Sequence, residues 1–297
     1  MRGDPTTDRI LVSCSHAFGI SHQARPEIAA MKIGMHLRNS GPHATRDMLA
    51  NCARIADELL IDDIWVFDHI AVPPEKSEGS GGIYVDPIVT LAFVAGITES
   101  VKIGTRVLIL PYRPALPTVK SIASIQMLSG GRLQLGIGVG WMKEEFQALD
   151  VSRSRRGAIT DETLELLHRC FAGDEVEING QNVLFLPQTE LPPIYVGGNG
   201  PHAFRRAVQH GDGWAASGDD PDTLREPIIE LRRMFAHAGK PEPEIIAAGR
   251  LALNDEEARD RLARLVEIGV TRYALNVPYS SADEFRAISE RLLRARD

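Results

Sequence analysis

Two places in this chain carry residue types and spacings that could do chemistry. The first is Asp68-His69, which closes the apolar run Ile64-Trp65-Val66-Phe67. An imidazole titrates near neutral pH, and a carboxylate beside it raises its basicity, so such a pair can pass a proton. Neighbours on a strand point to opposite sides, so one of the two faces a site; a structural Asp-His is the plainer alternative. The second is a set of glycines. Gly136, Gly138 and Gly140 recur at every second position of 133–141 and strip one strand face of side chains, at a cost in backbone entropy. Either a flat ligand lies against that bare backbone, or a neighbouring strand packs tightly on it. Gly197-Gly198-Asn199-Gly200-Pro201 joins a strand to a helix. Free N–H groups there favour a phosphate, and a tight turn alone would also need the glycines.

Other chemistries are excluded by pattern. Trp141 stands where a dinucleotide-binding fingerprint needs its third glycine. The chain has no Gly-Lys-Ser/Thr phosphate loop, no His-Glu-x-x-His and no Gly-x-Ser-x-Gly elbow. Its nine histidines never pair at metal-ligand spacing, so no dedicated metal site is expected. Cys14, Cys52 and Cys170 are dispersed, the usage of a reducing cytoplasm. A net charge of −7 without a long basic run argues against nucleic acid and anionic membranes as partners. No apolar run approaches the roughly 18 residues that span a bilayer. A small molecule is the expected partner. Arg106, Arg113 and the cluster Arg153-Arg155-Arg156 are candidate anion binders, although surface charge accounts for such a cluster equally well.

The elements that must position these residues follow from apolar patterning. Strands are expected at 32–37, 63–67, 101–110, 132–140, 193–197, 213–217, 244–253 and 272–277, mostly apolar on both faces, with helical periodicity between them. Eight strands each followed by a helix predict an α/β fold, a (β/α)8 TIM barrel, over residues 31–297. Residues 1–30 read as an N-terminal extension outside it. The stretch 175–185 alternates by two around Asn179-Gly180, a type I′ hairpin and an excursion from the barrel. The loop 72–82, with Pro73, Pro74 and then Gly and Ser, is long enough for a mobile lid. In such a barrel the active site lies at the carboxyl ends of the strands, which gathers His36, Asn39, Asp68-His69, 105–112, 138–141, 197–200 and Ser217-Gly218.

Several segments in order carry a resemblance. They are Lys32-Ile33-Gly34, Ile64 through His69, Ile103-Gly104-Thr105 through Arg113, Leu128-Ser129-Gly130-Gly131-Arg132 running to Trp141, Glu144-Glu145-Phe146, Pro193 through Gly198 and Gly211-Asp212-Gly213-Trp214. Over residues 31 to about 220 the chain resembles the luciferase-like flavin and deazaflavin oxidoreductases, especially the branch using coenzyme F420. The resemblance implies a barrel whose mouth holds the cofactor ring. It also implies a non-prolyl cis peptide at Arg106-Val107 or an adjacent bond, where many relatives have a small residue in place of Arg106. Thr105, Arg106, Val107, Gly138 and Gly140 would then meet the cofactor ring system, and Gly197, Gly198, Asn199 and Gly200 its phosphate. His69 with Asp68 would exchange the proton that accompanies hydride transfer between the deazaflavin and a small organic substrate. The arginines at 153, 155 and 156 favour the polyanionic tail of F420. The alternatives are an FMN-dependent monooxygenase using reduced flavin and oxygen, and a flavin-binding barrel without catalysis. The resemblance implies a homodimer, in the cytoplasm that the cysteine usage indicates.

Overall fold

Strands with helices on one side and a filled barrel on the other have no face to give to water, and the eight apolar segments form such strands. The structure, a computed structural model, describes residues 28–250 and 254–297. In chain order the strands are β1 (Lys32–His36), β2 (Asp63–Val66), β3 (Lys102–Ile109), β4 (Leu133–Gly138), β5 (Glu175–Ile178), β6 (Gln181–Leu184), β7 (Ile194–Gly197), β8 (Gly213–Ala215), β9 (Glu244–Gly249) and β10 (Arg272–Leu275). Eight close into a parallel barrel in the order β1-β2-β3-β4-β7-β8-β9-β10, with β10 back on β1. β5 and β6 pair antiparallel with each other alone. Asn179 and Gly180 between them have φ of 53° and 76°, the two left-handed residues of a type I′ turn. The fold takes in Ile28, which packs on the core ahead of Met31. The expected extension lies, up to residue 27, outside the described residues, as does the expected end of the seventh barrel strand at 251–253.

The helices are α1 (Arg46–Glu58), α2 (Pro87–Ala95), α3 (Ala115–Leu128), α4 (Lys143–Ala148), α5 (Arg156–Phe171), α6 (Pro201–His210), α7 (Pro221–His237), α8 (Asp255–Glu267) and α9 (Ala282–Arg296). Their ends follow local chemistry. The Asp86 carboxylate accepts from the Ile88 and Val89 amides at 2.8 and 3.1 Å and starts α2 with Pro87 at its first position. Asn254 accepts from the Glu257 amide and Ser281 from the Glu284 amide, starting α8 and α9. Gly130 and Gly131, at φ of 65° and 84°, stop α3.

The barrel is filled from alternate strand positions. Trp65, Tyr195, Ala215, Ile246 and Ala274 pack together inside it. Beneath them the Trp65 indole donates to Asp63, and Asp63 pairs with Arg272. Arg272 reaches Glu244 at 3.2 Å, and the Tyr195 hydroxyl lies 3.0 Å from Glu244 and 3.1 Å from Gln134. This network joins five strands, so the charged groups sealed in the floor are compensated from several directions. Trp65 has room because its flanking strands carry glycine: a Cβ on Gly34 would lie 2.7 Å from the indole nitrogen, and one on Gly104 would lie 2.6 Å from the ring.

Gly136 answers the question of what covers the bare face of β4. A Cβ there would drive into the Thr105 carbonyl oxygen of β3, so this glycine accommodates the neighbouring strand and not a ligand. Replacing it with alanine should cost about 1–3 kcal/mol through overpacking. Gly173→Ala, where a Cβ meets nothing within 4 Å, should leave the urea midpoint nearly unchanged. Equal midpoints for the two variants would show that β3 does not press on β4 at Gly136.

Candidate active site

The bulge in β3 makes the floor of a cleft. Its pairing with β4 shifts register between Thr105 and Leu108, and the Arg106–Val107 peptide is cis, at the bond the resemblance indicates. Val107 points between two bare strands: Cβ atoms on Gly138 and Gly197 would lie 2.6 and 2.9 Å from its methyl carbons. Over it opens a cleft of about 330 Å³ whose lining includes His69, Arg106, Val107, Gly138, Trp141 and Ser217. Gly140, Gly197 and Gly198 also border it. Thr105 does not. It is buried, and its hydroxyl donates to the Gly136 carbonyl at 2.7 Å, so the expectation that it meets a cofactor is corrected: it fixes the bulge.

His69 and Asp68 part company at the end of β2. The carboxylate beside His69 is Glu145 of α4, 2.9 Å from Nδ1 and 76 positions along the chain. Glu145 is fully buried and accepts three further hydrogen bonds, from the Ile70 and Ala71 amides at 2.7 and 3.1 Å and from the Tyr112 hydroxyl at 2.9 Å. Burial alone would raise its pKa, but the bonds from His69, Ile70, Ala71 and Tyr112 outweigh burial and hold it at about 2. An ionised carboxylate only accepts, so Nδ1 of His69 carries the proton and Nε2 is the basic nitrogen. Nε2 makes no hydrogen bond among the described residues, and the ring borders the cleft. Tyr84 and Trp141 pack on it with ring centroids 4.8 and 6.3 Å away.

Asp68 borders the same cleft as His69, but its hydrogen bonds go to other residues. Arg113 grips both its oxygens, at 2.6 and 2.9 Å, and the Ile109 amide donates to it at 2.8 Å. Burial pushes this carboxyl up against the pull of Arg113 and the amide. Three donors and no acceptor are the surroundings of a carboxylate that holds structure, not one that shuttles a proton. Arg113 also binds Asp86 at 2.7 Å, which ties the end of β3 to the cap of α2. Asn39 is structural too: it brackets Phe67 with bonds to its carbonyl and amide at 2.8 and 2.9 Å.

A second depression of about 320 Å³ adjoins the first at Val139 and is lined by Ser154, Arg156, His202 and Arg206. Arg206 is neutralised by Asp161 at 2.5 Å. Arg156 bonds only the Arg153 carbonyl among the described residues, and its Nε is buried without a partner. The basic cluster thus divides: Arg155 pairs with Glu162 at 3.1 Å on the surface, and Arg156 alone turns to the depression. The start of α6 stands beside it, with Gly198 and Gly200 at φ of 98° and 85° leading into Pro201 and His202. The loop 72–82 is pinned by Lys76, which pairs with Glu144 at 2.7 Å and lies 5.7 Å over the Trp141 ring.

Glu145 was visible in the sequence only as part of a matching segment, since nothing local links it to His69. His36 was expected at the mouth; it is buried behind Phe67, ring on ring at 4.4 Å.

Among known proteins, residues 22–297 match the family described as luciferase-like monooxygenase. The F420-dependent hydroxymycolic acid dehydrogenase of Mycobacterium tuberculosis is 31% identical over 205 residues, which are 66% of this chain and 55% of that protein. Monooxygenase RslO1 from Streptomyces bottropensis has a similar structure, with a TM-score of 0.71 at 21% identity over 89% of this chain and 99% of that one. An F420-dependent secondary alcohol dehydrogenase in complex with an F420-acetone adduct gives 0.69 at 16% identity over 88% and 99%. The two structures share the barrel fold with this chain.

Glu145 makes the site acid-sensitive in a definite direction. Its folded pKa of about 2 lies below the ordinary 4.5, so its stabilisation is present above about pH 4.5 and fades as pH falls toward 2. The wild type should exceed Glu145→Gln by about 3 kcal/mol at pH 6. That gap should close as pH drops, as measured by urea unfolding across the range. A gap independent of pH would mean that the carboxylate is not held ionised by these donors.

Proposed function

The chain belongs to the luciferase-like monooxygenase family, and from that premise we propose that it is an oxidoreductase moving a hydride between coenzyme F420 and a small organic substrate, with His69 handling the proton. The observation that carries this reading is that the His69 ring borders the cleft with Nε2 unbonded while Glu145 holds Nδ1.

The residues fit such a cofactor. Val107, Gly138 and Gly140 border the cleft and would form an apolar seat for a flat ring. Gly197, Gly198, Asn199 and Gly200 lead into the start of α6, and beside them Arg156 lines the depression with no carboxylate partner among the described residues; a phosphate would suit the first and an acidic tail the second. The F420 dependence named for the mycobacterial relative supports the same choice. When bound, a deazaflavin supplies two-electron hydride chemistry.

The chain's own contribution is position and proton transfer. With Nδ1–H committed to Glu145, Nε2 takes the proton of a substrate hydroxyl as that substrate is oxidised, and it returns the proton in the reverse direction. The ionised Glu145 offsets the charge that His69 then carries, and the Ile70 and Ala71 amides keep that carboxylate from turning away. Asp68 acts through position: its bonds to Arg113 and Ile109 hold the end of β3 below the cleft. Trp141, 61% exposed at the rim, covers one side.

Titration with F420 and separately with FMN tests this, read by quenching of tryptophan fluorescence. F420 should bind preferentially, and Arg156→Ala should weaken it about tenfold, as loss of a charge-assisted contact does. His69→Ala should keep cofactor affinity while turnover falls about 10²–10⁴-fold. Preference for FMN would move the protein to the oxygen-using reaction. A bound cofactor that no donor or acceptor changes would make it a binding protein.

A further inference from the structure

Arg106 carries a charge that the protein leaves unanswered. Its Nη2 donates to the Ala216 carbonyl, its single hydrogen bond among the described residues, and its Nε is sealed without a partner. Other arginines of the barrel are differently placed: Arg113 has Asp68 and Asp86, Arg272 has Asp63 and Glu244, and Arg206 has Asp161. For Arg106 burial is the dominant influence, lowering its pKa to about 10, so the guanidinium stays charged at neutral pH. Beside it lies His36, 2% exposed, with both ring nitrogens unpartnered. Burial first, and then the charge of Arg106, hold His36 well below the usual imidazole pKa, so it stays neutral and offers no counter-charge. Arg106 borders the same cleft as His69 and Ser217.

A desolvated guanidinium without a carboxylate is costly to keep, and its planar donors are matched by the paired oxygens of a carboxylate. We propose that Arg106 anchors the carboxylate of the substrate through Nη1, so that the small molecule turned over at His69 is an organic acid. This assignment rests on the reading of the cleft as an oxidoreductase site. A carboxylate held at the Arg106 side of so small a cleft leaves the remainder of the acid toward His69. An ionised ring oxygen of a bound cofactor shares this chemistry, and the experiment separates the two sources.

The probes are benzoate and butyrate against benzamide and butyramide, titrated calorimetrically into cofactor-free protein. The wild type should bind each acid about tenfold or more tightly than its amide, the effect of one charged hydrogen-bonded contact. Arg106→Gln should abolish that preference, and Arg106→Lys should retain part of it. Without ligand, Arg106→Met should melt no lower than the wild type, because it removes an unanswered charge; a merely structural arginine would lower the melting point. Equal affinity for acid and amide, or an unchanged preference in Arg106→Gln, would overturn the assignment. So would a midpoint potential of bound cofactor that shifts in Arg106→Gln while benzoate binding stays the same, since the anion would then be the cofactor's own. Because the acids are titrated without cofactor, failure to bind F420 would remove the F420 reading and leave the acid preference to stand by itself.

Discussion

The mouth of this barrel depends on one buried carboxylate. Glu145 collects His69, the Ile70 and Ala71 amides and the Tyr112 hydroxyl at 2.7–3.1 Å. Those donors come from the segment after β2 and from the end of β3, and the acceptor from α4. A carboxylate out of water is unfavourable unless its lone pairs are filled. Here the filling is what sets the protein's chemistry. Four donors leave no room for a proton on Glu145, so the proton on His69 must sit at Nδ1, and Nε2 is left basic on a ring that borders the cleft. Tautomer, ring orientation and loop position follow from a single electrostatic requirement.

The floor of the site rests on complementary volume in the same way. The bulge of β3 needs space inside the barrel, and β4 and β7 supply it by carrying glycine at 136, 138 and 197. Thr105 locks the arrangement with its bond to the Gly136 carbonyl. The alternating glycines in and just after β4 therefore do two jobs. Gly136 and Gly138 make room for the bulge, one for its backbone and one for Val107, whereas Gly140 borders the cleft in a left-handed turn at φ of 77°.

Periodicity made the barrel legible because parallel strands covered on both sides must be apolar throughout, and helix ends write their caps into adjacent residues. All eight barrel strands stand where the apolar runs place them, and Asp86, Asn254, Ser281 and Gly130-Gly131 end helices as their types demand. The site was legible only in part. Asp68-His69 looked like a unit because the residues are adjacent, but backbone direction sends one to Arg113 and the other to Glu145, partners 45 and 76 positions away. No local pattern encodes such pairings; they appear only when the barrel closes. The segment holding Glu145 could be matched, but its task could not be read.

The distribution of charge completes the picture. The chain is acidic overall, at −7, and several arginines around the mouth are matched to carboxylates within 2.5–2.7 Å, as with Arg113 and Arg206. Of the three arginines that line the two cavities, only Arg206 has such a partner among the described residues. Arg106 borders the main cleft and Arg156 borders the depression that adjoins it at Val139, and each has a buried Nε with no acceptor. In a protein with acids to spare, leaving two cations without a carboxylate in adjoining cavities concentrates positive potential there. The matched arginines hold the frame, and the unmatched pair defines where negative charge from outside the chain is favoured. Their separation into adjoining cavities suits two distinct anionic groups, one at the apolar seat over Val107 and one at the start of α6, with the basic nitrogen of His69 on the main cleft.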